Sequence, residues 1–253
     1  MLLQTELEGA LTKKPICVQF KEPDTEGIFF SFADKSRFQV HTQNILSANR
    51  NTVLGNENNS LCFVEHLLAA VNLLGINKLE ILVHGSEIPL ADGSAAIWLD
   101  LLKDWPHKET IEPSLELKEN LCVSDNSGRA IFAYPAEDFK LTYLFESPIN
   151  KAKTWTTWNL NAGIEVLAKA RTFASEEEHQ LLGLKGKMLS YNSDGFDLPL
   201  YSEDEPALHK LLDLFGDLSL TGINPLKIKA HFVSLKGGHA LNTQMAKALQ
   251  KIF

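Results

Sequence analysis

A helix-length apolar stretch, SLCFVEHLLAAVNLLG at residues 60–75, constrains the fold more than any other part of the sequence. Its composition predicts a helix that Ser60 caps at the start and Gly75 ends. Apolar residues lie on nearly every side of this helix, and a helix of that kind is buried rather than laid on a surface. We therefore expect it in the interior of the protein.

Strand and helix patterns flank this segment in the first part of the chain. Short apolar runs bounded by polar turns predict strands at residues 16–20, 27–32 and 78–84. A second helix is predicted over residues 92–105, with Asp92 or Ser94 as its cap and Pro106 as its stop.

A polar, proline-containing stretch at residues 106–120 then separates two similar arrangements. We place a domain boundary there, giving domain I at residues 1–110 and domain II at residues 111–253. Strands predicted after the boundary are followed by helices, including residues 161–171, 175–183, 207–218 and 239–252, with one more strand before the last helix. The pattern predicts an α+β fold in two layers, with strands and helices in both halves.

The helix predicted at residues 207–218 carries a polar arc beside its apolar face. At ~100° per residue, His209, Asp213 and Asp217 fall on one arc, with Lys210 at its edge. Residues four apart share a helix face, so His209 and Asp213 can bind one metal ion. The alternative is a solvent-exposed His–Asp pair, which the spacing alone does not exclude.

Two further segments carry candidate catalytic groups. Glu65 and His66 stand side by side near the start of the apolar helix, where a helix N-terminus favours the neutral, metal-binding form of histidine. The alternative there is an exposed, solvated helix end. In KGGHALN, residues 236–242, two glycines precede His239 where a strand gives way to a helix. The alternative is a plain glycine turn with a polar cap.

Combined, these residues suggest the metal ligands and the acid–base groups of a zinc amidohydrolase. Two histidines and one aspartate would bind zinc and leave a fourth position open for water. Glu65 would accept the proton of that water, and Asp217 would keep a nearby histidine protonated so that it acts as an acid. Spacing alone does not show whether the two halves of the chain meet.

Composition and charge argue against several other classes of protein. The net charge of −8 argues against nucleic acid as a partner. The three cysteines are far apart and form no CxxC motif, which favours a reducing compartment. The N-terminus lacks a basic region followed by an apolar run, and no stretch approaches the ~18 apolar residues of a membrane span. We expect a cytoplasmic monomer that is not inserted in a membrane.

Five motifs occur in a fixed order: VEHLLAAVNLLGINKLEI, EIPLADGSAA, ARTF, HKLLDLFGDLSLTG and KGGHALN. Together they resemble the UDP-3-O-acyl-N-acetylglucosamine deacetylase family of lipid A biosynthesis. The resemblance covers most of the chain and is strongest at residues 61–102, 168–173 and 206–249. It implies two similar α+β domains, each a small sheet layered with two main helices, and an active site between them.

The resemblance also implies a cofactor and a substrate. The cofactor would be Zn²⁺, with Fe²⁺ as an alternative, bound by His66, His209 and Asp213. The substrate would be a UDP-acyl-sugar that loses its N-acetyl group. Lys210 would lie near the diphosphate or the developing oxyanion, and Phe173 would line the sugar site.

The family's remaining roles carry over to four positions. Glu65 would be the general base, and His239 the general acid with Asp217 behind it. Thr172 would offer its hydroxyl to the tetrahedral intermediate.

Two departures from the family pattern leave other functions open. In GALTKKP, residues 9–15, Leu11 stands where the family has histidine and Lys13 where it has glycine. An insert near residues 184–205 is polar and shorter than the family's, where it forms a passage for the acyl chain. The alternatives are a related deacetylase for a different N-acetyl sugar, and a non-catalytic sugar- or lipid-binding homologue.

Overall fold

The structure is a computed structural model and describes residues 2–56, 58–184 and 188–253. The first half, up to residue 110, contains strands and two main helices. Its elements are β1 (Leu2–Glu8), β2 (Pro15–Lys21), β3 (Gly27–Phe32), β4 (Arg37–Gln39), β5 (Ile45–Ser47), β6 (Val53–Gly55), β7 (Ser60–Leu61), α1 (Glu65–Leu73), β8 (Lys78–His84) and α2 (Ala96–Leu102).

The second half repeats this order with a larger set of connecting elements. They are β9 (Leu115–Glu116), β10 (Leu121–Ser124), β11 (Ala130–Pro135), β12 (Lys140–Glu146), β13 (Lys153–Asn159), α3 (Ile164–Ala168), β14 (Phe173–Ser175), α4 (Glu176–Leu181), β15 (Leu189–Asn192), β16 (Gly195–Phe196), α5 (Glu205–Leu218), β17 (Ile228–Leu235) and α6 (His239–Leu249).

The main sheets of the two halves have the same topology. Their strand orders are β1-β2-β8-β3-β4 and β10-β11-β17-β12-β13, with β9 added beside β17. In each sheet the central strand, β8 or β17, is the one that comes last along the chain. It pairs in parallel with β3 or β12 and antiparallel with β2 or β11. The predicted α+β fold of two similar halves is confirmed, and the boundary at residues 110 and 111 stays a prediction.

Helices α1, α2 and α5 lie between the two main sheets. Trp98 of α2 packs on Phe20 of β2, with ring centroids 6.2 Å apart. On the other side, Phe215 of α5 packs on Trp158 of β13 at 6.0 Å. α1 and α5 pack on each other in the middle, inside one continuous apolar cluster that reaches both sheets. Every residue of α1 is buried, as its all-round apolar pattern predicts.

The start of α1 differs from the prediction. Ser60 is not its cap: Ser60 and Leu61 form strand β7, which pairs with β6, and the helix begins at Glu65 without a side-chain cap. Backbone hydrogen bonds from Cys62 to Ser86 and from Ile88 to Cys62 hold this stretch extended. Gly75 ends the helix as predicted, with a φ of +70°.

Two other predicted helices are shorter than expected. α2 begins at Ala96, because Asp92 and Ser94 lie in the turn before it, where the Ser94 hydroxyl accepts from the Ala96 N–H. The helix predicted at residues 161–171 is reduced to a 3-10 turn and α3.

An extra small sheet precedes the central helix in each half. The first insert, residues 41–61, carries β5, β6 and β7 between β4 and α1. The second insert, residues 172–204, carries β14, α4, β15 and β16 before α5. The predicted insert near 184–205 overlaps the later part of this segment, and residues 185–187 lie outside the described residues.

Candidate metal centre and active site

The site is built where α1 crosses α5. Gly216 of α5 lies so close to α1 that a Cβ there would be 2.1 Å from the Glu65 carbonyl oxygen. Only glycine permits this approach of two backbones. Because Asp213 and Asp217 flank Gly216, they lie beside Glu65 and His66, and side chains from opposite halves meet.

The three residues predicted to bind a metal come together. Asp213 Oδ1 lies 3.4 Å from His66 Nε2, and its Oδ2 lies 3.4 Å from His209 Nε2. Their ligand atoms all lie within 4.8 Å of one another. His66, His209 and Asp213 are only 3%, 1% and 2% exposed, so the alternative of a solvated His–Asp pair is wrong. Two imidazoles and one carboxylate are a donor set that suits zinc.

The protonation of this group fits metal binding. His209 Nδ1 lies 3.3 Å from the Ala170 carbonyl, which can only accept, so Nδ1 carries the proton and the Nε2 lone pair is free. Burial lowers the pKa of His209 to about 3, which keeps the imidazole neutral. Burial opposes ionisation of Asp213, yet the nearby positive charges of Lys210 and His239 hold the pKa of its carboxyl well below the usual value. Neutral imidazole and ionised carboxylate are the forms that metals require.

His239, Asp217 and Glu65 form a second buried group beside the first. His239 Nδ1 lies 2.8 Å from Asp217 Oδ2. Its Nε2 lies 3.8 Å from both Glu65 Oε1 and Asp213 Oδ2. Both Glu65, at 3% exposed, and His239, at 7%, are interior residues, so neither the exposed helix end nor the plain glycine turn describes them.

The pKa shifts of this group have opposite causes. Burial lowers the pKa of His239, but the carboxylates of Asp217, Asp213 and Glu65 raise it to about 10. His239 is therefore an imidazolium at neutral pH. Burial raises the pKa of Glu65, which makes its carboxylate a stronger base. One group is thus prepared to donate a proton and its neighbour to accept one.

Lys210 and Phe173 lie beside the predicted metal ligands His209 and Asp213. Lys210 Nζ donates to Asp213 Oδ2 at 3.0 Å and lies 5.2 Å from the centre of the Phe173 ring. Phe173 also packs edge-on against His209, at 5.9 Å. Half-buried Thr172 precedes it, and its N–H donates to the Gly93 carbonyl at 2.7 Å. The second insert therefore supplies one wall of the site.

Several residues that the sequence did not predict hold this site in place. Thr52 of the first insert and Asn242 of α6 both donate to Asp217. Asn242 follows His239 by three residues, so helical spacing could have found it. No local pattern indicates Thr52. Arg171 of the ARTF motif makes a buried two-point ion pair with Glu205 at the start of α5.

The stretch GALTKKP forms a turn braced by Glu87. The carboxylate of Glu87 accepts from the N–H groups of Leu11, at 2.9 Å, and Thr12, at 2.8 Å. Lys13 has a φ of +55°, a left-handed conformation that glycine adopts without strain. Ala10 packs in a cluster with Leu184 and Met188 of the second insert. The departures at 11 and 13 thus lie next to that insert.

Comparison with known proteins finds similarity along nearly the whole chain. Residues 6–251 match the family described as LpxC, UDP-3-O-acyl N-acetylglycosamine deacetylase. A protein named UDP-3-O-acyl-N-acetylglucosamine deacetylase from Thermosynechococcus vestitus is 34% identical over 198 residues, 74% of this chain and 68% of the relative. Relatives of the same name from Aquifex aeolicus and Helicobacter pylori are 33% and 32% identical, covering 86% and 89% of this chain and 77% and 81% of their own lengths.

Proposed function

Because the chain belongs to the UDP-3-O-acyl N-acetylglycosamine deacetylase family, we propose that it hydrolyses the N-acetyl group of UDP-3-O-acyl-N-acetylglucosamine in lipid A biosynthesis. The observation that carries the proposal is that His66, His209, Asp213, Glu65 and His239, all buried, converge from opposite halves of the chain. Zn²⁺ would be held by His66, His209 and Asp213, and Fe²⁺ would suit the same donors. The bound ion would supply Lewis-acid activation of the amide carbonyl and of a water molecule.

Glu65 is the general base of the proposal. Its Oε2 accepts from the Thr52 N–H at 3.3 Å, while Oε1 faces His239 and the metal-ligand group. In this position Glu65 would take a proton from the attacking water. Lys210, beside Asp213, and the Thr172 hydroxyl are the candidates to stabilise the developing oxyanion, and a single such donor is typically worth ~3–4 kcal/mol.

His239 is the general acid. Asp217 holds its Nδ1, so the proton on Nε2 is the one available to the leaving amine. Cleavage of the C–N bond with this proton transfer gives acetate and a free glucosamine amine. Phe173, beside His209 and Lys210, would contact the sugar.

The test is acetate release from UDP-3-O-acyl-N-acetylglucosamine by the purified protein with added Zn²⁺. We expect turnover by the wild type and a loss of about 10²–10⁴-fold in Glu65→Gln, the usual contribution of general base catalysis. Metal content should be unchanged in that variant. An inactive wild type that binds zinc stoichiometrically would contradict the proposal. Full activity in Glu65→Gln would contradict the assignment of the base.

A second candidate function is deacetylation of a different N-acetyl sugar. The observation that favours it is the turn at Leu11 and Lys13, which departs from the family pattern and packs beside the second insert. Turnover of simpler N-acetyl sugars without turnover of the UDP-acyl-sugar would select this alternative. Ligand binding without any turnover would select a non-catalytic homologue.

No helix among the described residues is long and apolar enough to cross a bilayer. We further propose that the protein is a cytoplasmic monomer. Sedimentation equilibrium at micromolar concentration tests the monomer, and a stable dimer mass would contradict it.

A further inference from the structure

Thr52 lies at the junction of the acid and the base, although no sequence motif marks it. It precedes β6 in the first insert and is fully buried. Being 0% exposed, it cannot contact a substrate directly. Any effect it has on a reaction must pass through its neighbours.

The Thr52 hydroxyl fixes the carboxylate behind the acid. It donates to Asp217 Oδ1, while Asp217 Oδ2 accepts from His239 Nδ1 at 2.8 Å and from Asn242 Nδ2 at 2.9 Å. Each carboxylate oxygen therefore has its own donors, which prevents rotation of the group. The hydroxyl oxygen also lies 3.4 Å from His239 Nδ1, so it borders the acid itself.

The backbone of the same residue holds the base. The Thr52 N–H donates to Glu65 Oε2, which leaves Oε1 on the side of His239 Nε2, 3.8 Å away. One residue of the first half thus contacts Glu65, from its own half, and the Asp217–His239 pair, from the other. The spacing between proton acceptor and proton donor depends on where Thr52 lies.

We propose that Thr52 is a positioning residue that sets the orientation of the Asp217–His239 pair relative to Glu65. The inference rests on the proposed deacetylase function. Removing the hydroxyl leaves a buried carboxylate oxygen without this donor, and the carboxylate is then free to turn away from His239. The loss falls on the chemical step and not on substrate binding.

The experiment compares Thr52→Val, which keeps the shape but removes the hydroxyl, with Thr52→Ser, which keeps the hydroxyl. Thr52→Val should lower kcat by about 10–100-fold, comparable to the loss of a hydrogen-bond partner that orients a metal ligand, with KM within about 2-fold and metal content unchanged. Thr52→Ser should stay within about 3-fold of wild type in kcat. Rescue by serine separates the hydroxyl's role from the fit of the side chain.

Thr156→Val is the matched control. Thr156 is also buried, at 3% exposed, and its hydroxyl has no hydrogen-bond partner among the described residues. It lies on β13, so the same substitution there should leave kcat at the wild-type value.

Three results would overturn the inference. They are an unchanged kcat in Thr52→Val, an equal fall in Thr52→Ser, and a fall that metal loss or unfolding fully accounts for. An inactive wild type would instead refute the proposed function. The two failures are distinguishable because only the second affects the parent protein.

Discussion

The two inserts occupy matching places in the two halves, before the central helix, yet they contact different residues of the site. The first insert contacts the proposed acid and base through fully buried Thr52. The second insert contacts the proposed metal ligand His209, and Lys210 beside it, through half-buried Phe173. The same point of a repeated topology thus provides internal positioning in one half and a wall of the site in the other.

The inserts also differ in how they are held. The second insert is followed directly by Glu205 at the start of α5, whose carboxylate lies 2.7 and 2.9 Å from two guanidinium nitrogens of Arg171 and also accepts from the Tyr201 N–H. The Arg171 guanidinium stacks over the Tyr201 ring at 4.1 Å. We therefore expect the second insert to depend on the buried Arg171–Glu205 ion pair, whose two members belong to the same half.

The largest expected effect on stability comes from removing one member of this ion pair. Arg171→Met should lower the free energy of unfolding by about 3–5 kcal/mol, because it leaves the Glu205 carboxylate buried without its charge partner. Denaturant unfolding measures the change. The double variant Arg171→Met/Glu205→Leu should recover much of the loss, since replacing both members of a buried pair removes the stranded charge.

Arg129→Met is the control for an arginine ion pair on the surface. Arg129 and Asp125 are paired at 2.6 Å, but the side chains are 47% and 26% exposed, so the unfolding midpoint should hardly change. If Arg171→Met behaved like Arg129→Met, the second insert would not depend on this pair.

The next largest effect on stability is expected where α1 packs on α5, the contact that brings the two halves together. Gly216→Ala would usually stabilise a helix interior by ~1 kcal/mol. Here the added Cβ would meet the Glu65 carbonyl oxygen at 2.1 Å, so the sign reverses and we expect a loss of about 1–3 kcal/mol. The helices must separate, which also moves Asp213 from His66, so zinc stoichiometry measured on the folded protein should fall.

Gly238→Ala is the matched stability control, because its backbone is extended and its Cβ would meet nothing within 4 Å. Its unfolding free energy should be near that of wild type. A Gly216→Ala variant as stable as Gly238→Ala, with full zinc binding, would show that the helix crossing tolerates separation and that other contacts align the site.

The sequence predicted the parts of this site better than their assembly. The all-round apolar pattern predicted the burial of α1, and helical spacing placed His209, Asp213 and Asp217 on one arc. Spacing within a helix says nothing about which other helix faces that arc. That information lies in Gly216, whose role becomes visible only once Glu65 is seen against it.

The same reasoning failed where tertiary contacts override local propensity. Ser60 resembles a helix cap, yet pairing with β6 draws it into a strand. Thr52 lies 165 residues from Asp217 along the chain, so no periodicity connects them. The roles of Thr172, Phe173 and Lys210 came from family resemblance and not from any pattern in the chain, and they stay predictions.

The smallest effect concerns a charge contact between the two inserts. Arg50 of the first insert pairs with Glu178 of the second at 2.8 Å, but the side chains are 75% and 37% exposed. Arg50→Ala should therefore change the unfolding free energy by less than about 1 kcal/mol, and less still at high salt. Glu178→Ala should cost more, because Glu178 also completes the capping box with Ser175 at the start of α4. Paired denaturant titrations at low and high salt measure both differences. If Arg50→Ala cost as much as Glu178→Ala at every salt concentration, the bridge between the inserts would matter more than the cap, and the second insert would be held from both halves.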